Sequence, residues 1–234
     1  MENKSKFKID LHCHSYFSSD GVSKPEEIVA MARQRGLDGF AITDHNTCEC
    51  VDYYRKAGLI REDGMPVDGL LIIPGQEIST AEGHLLALGV ELPNYKGISA
   101  AEAIAIIHAK GGVAIAPHPY DLFRAGIRES VLNSLPLDAI EVFNAATTLH
   151  RCNRQARDYA QQRGIAMTAG SDAHHAQAVG VSYSILEMER LSLRGALEGI
   201  KKGREVVENY LSTKEVLRKT FHNLFRIKNF RSFL

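Results

Sequence analysis

The chain has 234 residues, 44% hydrophobic and 24% charged, which excludes a disordered, collagenous or coiled-coil protein. One domain of this length buries roughly 70 to 75% of its unfolded surface. The 28 Lys and Arg balance 28 Asp and Glu, so no global positive field draws the chain onto nucleic acid, and an anionic substrate must be attracted locally. The charged opening residues have no apolar stretch behind them, and no apolar run approaches the ~18 residues of a membrane span. The expectation is a cytoplasmic protein without a membrane span. Cys13, Cys48, Cys50 and Cys152 include no CxxC pair, so they read as reduced thiols with structural roles.

Short apolar runs alternate with amphipathic stretches, the pattern of βαβ units around a parallel sheet. Eight strands are expected, at 7–11, 39–43, 70–74, 85–90, 113–116, 139–143, 165–169 and 182–186. Two helices carry capping boxes. Ser23 with Glu26 opens one that Gly36 closes, and Ser99 with Glu102 opens one that Gly111 closes. Ile28, Val29 and Ala32 form the inward face of the first, Ile104 and Ile107 that of the second. Further helices are expected over 151–163 and 191–202. No linker interrupts the pattern, so 1–210 reads as one α/β domain.

Residues 211–234 differ in charge. Six basic residues stand there against Glu215 alone, while the preceding 210 residues carry 22 basic against 27 acidic groups. Apolar side chains interleave with the basic ones at helical spacing. The expectation is an amphipathic helix packed on the domain, with contact to an acidic partner, anionic lipid or RNA as alternatives.

Histidines and carboxylates cluster just after the apolar runs, at the strand ends where barrel enzymes keep their active sites. His12 and His14 leave the first strand with the i, i+2 spacing that points two imidazoles to one side. Thr43-Asp44-His45 follows the second strand and Gly75-Gln76-Glu77 the third. Gly83-His84 precedes the fourth, Pro117-His118-Pro119 follows the fifth, and Ser171-Asp172-Ala173-His174 follows the seventh. Singly, each has an ordinary explanation as a hydrogen-bonded pair or a solvated loop group. Together they place many ionisable groups on one rim, an arrangement costly to bury without a cation. Asp44 reads as orienting a neighbour, His108 and His150 as structural or exposed, and His175 as pointing away from the adjoining His174.

The ordered set His12-x-His14, Ser19-Asp20-Gly21, Thr43-Asp44-His45, Pro74-Gly75-Gln76-Glu77, Gly83-His84, Pro117-His118-Pro119 and Gly170-Ser171-Asp172-Ala173-His174 resembles the PHP (polymerase and histidinol phosphatase) family of metal-dependent phosphoesterases. The match runs from about residue 7 to 205. The resemblance implies a distorted (β/α)7 TIM-like barrel, with one of the eight strands outside it, and two to three divalent metal ions. His12, His14, Glu77 and Asp172 would form a first site. Glu77, as bridge, with His84 and His118 would form a second, and Asp20, His45 and His174 a third. Asp20 stands where some relatives carry His.

Mixed imidazole and carboxylate ligation suits manganese, iron or zinc. A hydroxide bridging two such ions would attack the phosphorus of a phosphate monoester or diester, with Glu77, Asp172, His45 and His174 as the catalytic set. Arg124 and Arg128 are candidate phosphate clamps, and Asn144 could touch substrate or orient a ligand. The resemblance to small free-standing members points to a nucleotide or short oligonucleotide phosphate in an open pocket, with no stable nucleic-acid partner. Histidinol phosphate and phosphotyrosine are alternative substrates. Amidohydrolase chemistry is a more distant one, since Glu77 fills the bridge and no suitably placed Lys stands out.

Overall fold

The computed structural model describes residues 4–211; the basic segment expected to form a C-terminal helix lies outside them, apart from Leu211. The elements in chain order are β1 (Ser5–Cys13), α1 (Pro25–Gln34), β2 (Gly39–Ile42), α2 (Glu49–Lys56), β3 (Leu71–Ile73), β4 (Gly75–Ser79), β5 (His84–Leu88), α3 (Ala100–Ala109), β6 (Val113–Ala116) and α4 (Glu129–Leu132). They continue with β7 (Ala139–Asn144), α5 (Arg151–Arg163), β8 (Ala166–Gly170), β9 (Tyr183–Met188), α6 (Leu193–Ile200) and β10 (Glu205–Val207). All eight expected strands are present, joined by β4 and β10.

The strands form two five-stranded sheets, ordered β10-β9-β1-β2-β3 and β4-β5-β6-β7-β8. The expected all-parallel arrangement holds for β1-β2-β3 and for β6-β7-β8. Elsewhere the pairing is antiparallel: the connection from β4 to β5 is too short for a crossover, whereas β5–β6 and β9–β10 pair antiparallel although α3 and α6 lie between them. Only residues 80–83 separate β4 from β5, whose last and first residues, Ser79 and His84, pair directly. β1 takes antiparallel β9 as its other neighbour, so no continuous ladder closes the strands into one barrel. The sheets touch instead at two isolated bridges, Cys13 with Ala173 and His45 with Glu77. Both seams adjoin the histidine-rich strand ends.

Below that rim, Ile9, Leu11, Ile73, Leu86, Val113 and Ile115 from both sheets pack into one buried cluster. This apolar floor keeps water from approaching the strand ends from beneath. Ser99 caps α3 by accepting the Glu102 N–H (3.2 Å), as expected. The first helix differs by one residue: Lys24 is the cap residue and its N–H donates to Glu27 (2.9 Å). Ser23 is diverted because its hydroxyl accepts the Ala176 N–H (2.6 Å), tying the helix entrance to the loop after β8.

Gly75 lets β4 lie against β5: a Cβ there would fall 2.5 Å from the Ala87 carbonyl oxygen. Gly75→Ala is therefore expected to cost about 1–3 kcal/mol by overpacking and to lower the thermal midpoint by several degrees. An unchanged midpoint in a calorimetric scan would argue against this close approach.

Candidate metal centre

Each polar rim residue is carried by a strand end or the turn beyond it. His12 lies in β1 and His14 one residue past it, Asp20 in the following loop, and His45 beyond β2. Glu77 is in β4, His118 follows β6, and Asp172 and His174 follow β8. His84 opens β5, and because that strand runs antiparallel to β4, its first residue reaches the same rim. All nine sequence-predicted ligands are brought together. Their possible ligand atoms fall into four overlapping groups, each within 4.8 Å: His14, Asp20, His45 and His174; His12, Glu77 and His118; His12, His14 and Asp172; and His45, Glu77 and His84. The expected division into three sets is thus blurred, as His14 and His45 each belong to more than one neighbourhood.

Glu77 is the hub. Its Oε2 is faced by His12 Nε2 (3.2 Å), His14 Nε2 (3.3 Å) and His45 Nδ1 (3.4 Å). Its Oε1 is faced by His84 Nδ1 (2.8 Å) and His118 Nε2 (3.0 Å). His174 Nε2 and His45 Nε2 lie 2.8 and 3.5 Å from Asp20 Oδ2. Burial alone would raise the Glu77 pKa, but His45, His12 and His84 more than offset it and hold the carboxyl well below its usual range. Asp172 behaves alike: burial opposes ionisation, while Arg124 and His12 draw its pKa well down. His14, despite burial, is raised to about 9 by its bonds to Asp172 and Glu77.

The donor set fits cations. His12 Nε2 and His14 Nε2 point at each other across 3.1 Å, where at most one proton fits between two ring nitrogens. Asp172 Oδ1 is buried without a hydrogen-bond donor, 3.6 and 3.4 Å from those nitrogens and 3.4 Å from His174 Nδ1. Orphaned acceptors among converging imidazoles are what metal ligands look like with the ion removed. His118 and Asp172 also hold left-handed backbone, φ +31° and +50°, at a cost of about 1–3 kcal/mol each that the surrounding structure must sustain.

Of the proposed substrate residues, Arg124 and Asn144 reach the cluster and Arg128 does not. Arg128 is exposed at the start of α4, and no described contact joins its side chain to the rim. Arg124 is not a vacant clamp either, because its guanidinium ion-pairs with Asp172 Oδ2 and donates to Asn144 Oδ1 (3.1 Å). Asn144 in turn donates to Asp172 Oδ2 (3.1 Å) and Glu141 Oε2 (2.9 Å). Asp44 accepts both the N–H and the hydroxyl of Ser15 at 2.6 Å, which fixes the loop after His14. His108 pairs with Asp138 and His150 stacks on Tyr210, and neither joins the cluster.

Glu141 is the residue that sequence reasoning missed. It is 1% exposed in β7, pairs through Oε1 with His12 Nδ1 (3.1 Å), and accepts the His118 N–H through Oε2 (2.8 Å). It thereby leaves His12 Nε2 aimed at Glu77 and pins the backbone of His118. The signal was a carboxylate in the middle of an otherwise apolar run, in the strand that ends at Asn144.

A model of the PHP-associated family matches residues 150–205. An uncharacterized protein of Methanocaldococcus jannaschii is 34% identical over 148 residues, covering 59% of this chain and 82% of its own. A solved two-domain structure from Bacteroides vulgatus, described as containing a PHP-like metal-dependent phosphoesterase, superposes with TM-score 0.69 at 20% identity, over 93% of this chain and 70% of that one. The chain belongs to the PHP family of metal-dependent phosphoesterases. Among its relatives, a 5'-3' exoribonuclease of Haemophilus influenzae is 33% identical over 112 residues, which are 46% of this chain and 38% of that protein. The histidine and carboxylate cluster fits a site for divalent metal ions.

Glu141→Gln can satisfy His12 or His118 but not both, since one carboxylate oxygen becomes a donor. A metal titration should show affinity reduced about 10- to 100-fold with the thermal midpoint little changed. Wild-type affinity would remove Glu141 from the support of the site.

Proposed function

We propose that this chain hydrolyses a phosphate monoester or diester of a nucleotide or short oligonucleotide. The observation that carries the reading is the division of five imidazoles between the two oxygens of one buried carboxylate, Glu77. That arrangement supports a bridging role, with His12, His14 and Asp172 on one side and His84 and His118 on the other. Asp20, His45 and His174 supply a third set at the more open edge. The nucleotide substrate is suggested by the exoribonuclease relative. Among the described residues no helix is long and apolar enough to cross a membrane. We read 1–210 as one barrel-like domain opened at its two seams, with 211–234 appended.

Two to three manganese, iron or zinc ions, when bound, would supply Lewis acidity and a coordinated water acidified toward about pH 7. The chain's own groups set up the displacement, in which a water oxygen bonds to phosphorus and the P–O bond to the alcohol breaks. Arg124 keeps guanidinium N–H groups beyond those engaged by Asp172 and Asn144, and these can grip a non-bridging phosphoryl oxygen. Asn144 and Arg124 hold Asp172 Oδ2, which leaves Oδ1 aimed at the imidazoles. When the third set holds no ion, His45 and His174, which both face Asp20 Oδ2, are imidazoles from which a leaving alkoxide can take a proton.

Phosphate release should be measured across nucleoside monophosphates, bisphosphonucleotides, histidinol phosphate and phosphotyrosine, and release of mononucleotides from short RNA. Release from the nucleotide group is expected, and release confined to histidinol phosphate and phosphotyrosine would overturn the substrate reading. Glu77→Gln and Asp172→Asn should each abolish turnover while circular dichroism stays native, whereas Asp20→Ala should lose less. Near-normal rates in both of the first two variants would refute the shared-ligand geometry.

A further inference from the structure

Between β6 and α4 the chain is strained and tightly tied. Three of the six described non-glycine residues with left-handed backbone lie here, His118 (φ +31°), Tyr120 (+70°) and Ala125 (+53°). The Asp121 N–H donates to the His118 carbonyl (3.2 Å), and the Arg124 and Gly126 N–H groups donate to that of Asp121 (3.0 and 2.9 Å). A Cβ at Gly126 would fall 2.4 Å from the His118 oxygen, so only glycine permits this closure. On the outer side, the His84 N–H donates to the Ala125 carbonyl (2.8 Å). The loop is thus fastened at both ends to candidate metal ligands.

On this frame Leu122–Arg124 makes one 3-10 turn that divides its side chains. Arg124 turns inward to Asp172 and Asn144. Phe123 turns outward and is 89% exposed, the most exposed large apolar side chain described. Tyr16, at 43%, already stacks on Phe17 with ring centroids 4.4 Å apart, whereas Phe123 has no ring contact among the described residues. A whole phenyl ring held in water by a fastened loop gains nothing from packing, but it offers a flat face one residue from a guanidinium in the site. The two side chains leave adjacent Cα atoms, about 3.8 Å apart, and diverge, so a ligand that reaches both must extend from the guanidinium over the turn to the phenyl face.

We propose that Phe123 is a specificity-determining residue: a fixed platform on which the base of a nucleotide substrate stacks while its phosphate lies against Arg124 and the metal centre. The proposal rests on the phosphoester reading above and adds what recognises the leaving-group side. Every base has a π face, so such a ring selects nucleotides over alkyl phosphates without choosing among bases.

The chain contains no tryptophan, so Phe123→Trp introduces a lone fluorescent reporter. In the metal-loaded protein, adenosine monophosphate should quench it saturably and glycerol phosphate should not. Absent quenching by adenosine monophosphate, equal quenching by both, or stronger quenching by phosphotyrosine would overturn the assignment to a nucleobase. In kinetics, Phe123→Ala should raise KM for adenosine monophosphate about tenfold with kcat within about twofold, leave glycerol phosphate unaffected, and be rescued by Phe123→Tyr. Equal losses on both substrates would also overturn it. If the wild-type protein hydrolyses none of the phosphate esters of the panel above, the phosphoester reading fails on its own, and the quenching still decides the stacking.

Discussion

Glu77 lies in a place that water barely reaches, with five imidazoles against its two oxygens and a second buried carboxylate, Asp172, close by. Groups of this kind repel one another or compete for protons when they are desolvated together, and the cost is tolerable only if positive charge sits among them. Much of the surrounding architecture serves to hold them there. The strands end where a ligand is needed, and the sheets meet at two seams beside the ligands. His118 and Asp172 keep left-handed backbone that an ordinary turn would avoid.

Support for that cluster is layered. The apolar floor below it closes one side, and Glu141, Asn144 and Arg124 form a connected set of bonds that fixes His12, His118 and Asp172 from behind. Asp44 and Asp10 act further out: Asp44 holds the Ser15 turn, and Asp10 accepts the Ser171 and Gly180 N–H groups beside the Asp172 turn. Burial raises the pKa of both carboxyls, and for Asp44 it does so against the opposing pull of His14 and His45.

The clustering of the candidate ligands was legible in the sequence because strand-end histidines and carboxylates follow apolar runs in an order that elements of regular length preserve. The helix over 151–163 was legible to its last residue, for it ends at Gly164 in left-handed conformation. What escaped was decided by tertiary contact. β4 is polar in sequence because it carries Gln76 and Glu77, so it shows no apolar run. α2 buries only Cys50, Val51 and Tyr54, too few apolar positions to show a helical period in the sequence. Ser23 carries every mark of a cap, yet its hydroxyl is taken by Ala176, a partner far along the chain. The β4–β5 hairpin follows from its short connection, but the antiparallel β5–β6 and β9–β10 pairs have helices between their strands, and strand direction is not carried by periodicity.

Anomalous diffraction from crystals grown with manganese or zinc tests the central claim most directly. Two strong peaks flanking the Glu77 carboxylate are expected, one near His12, His14 and Asp172 and one near His84 and His118. A loaded crystal with no peak at Glu77, or with metal bound only elsewhere on the chain, would contradict it.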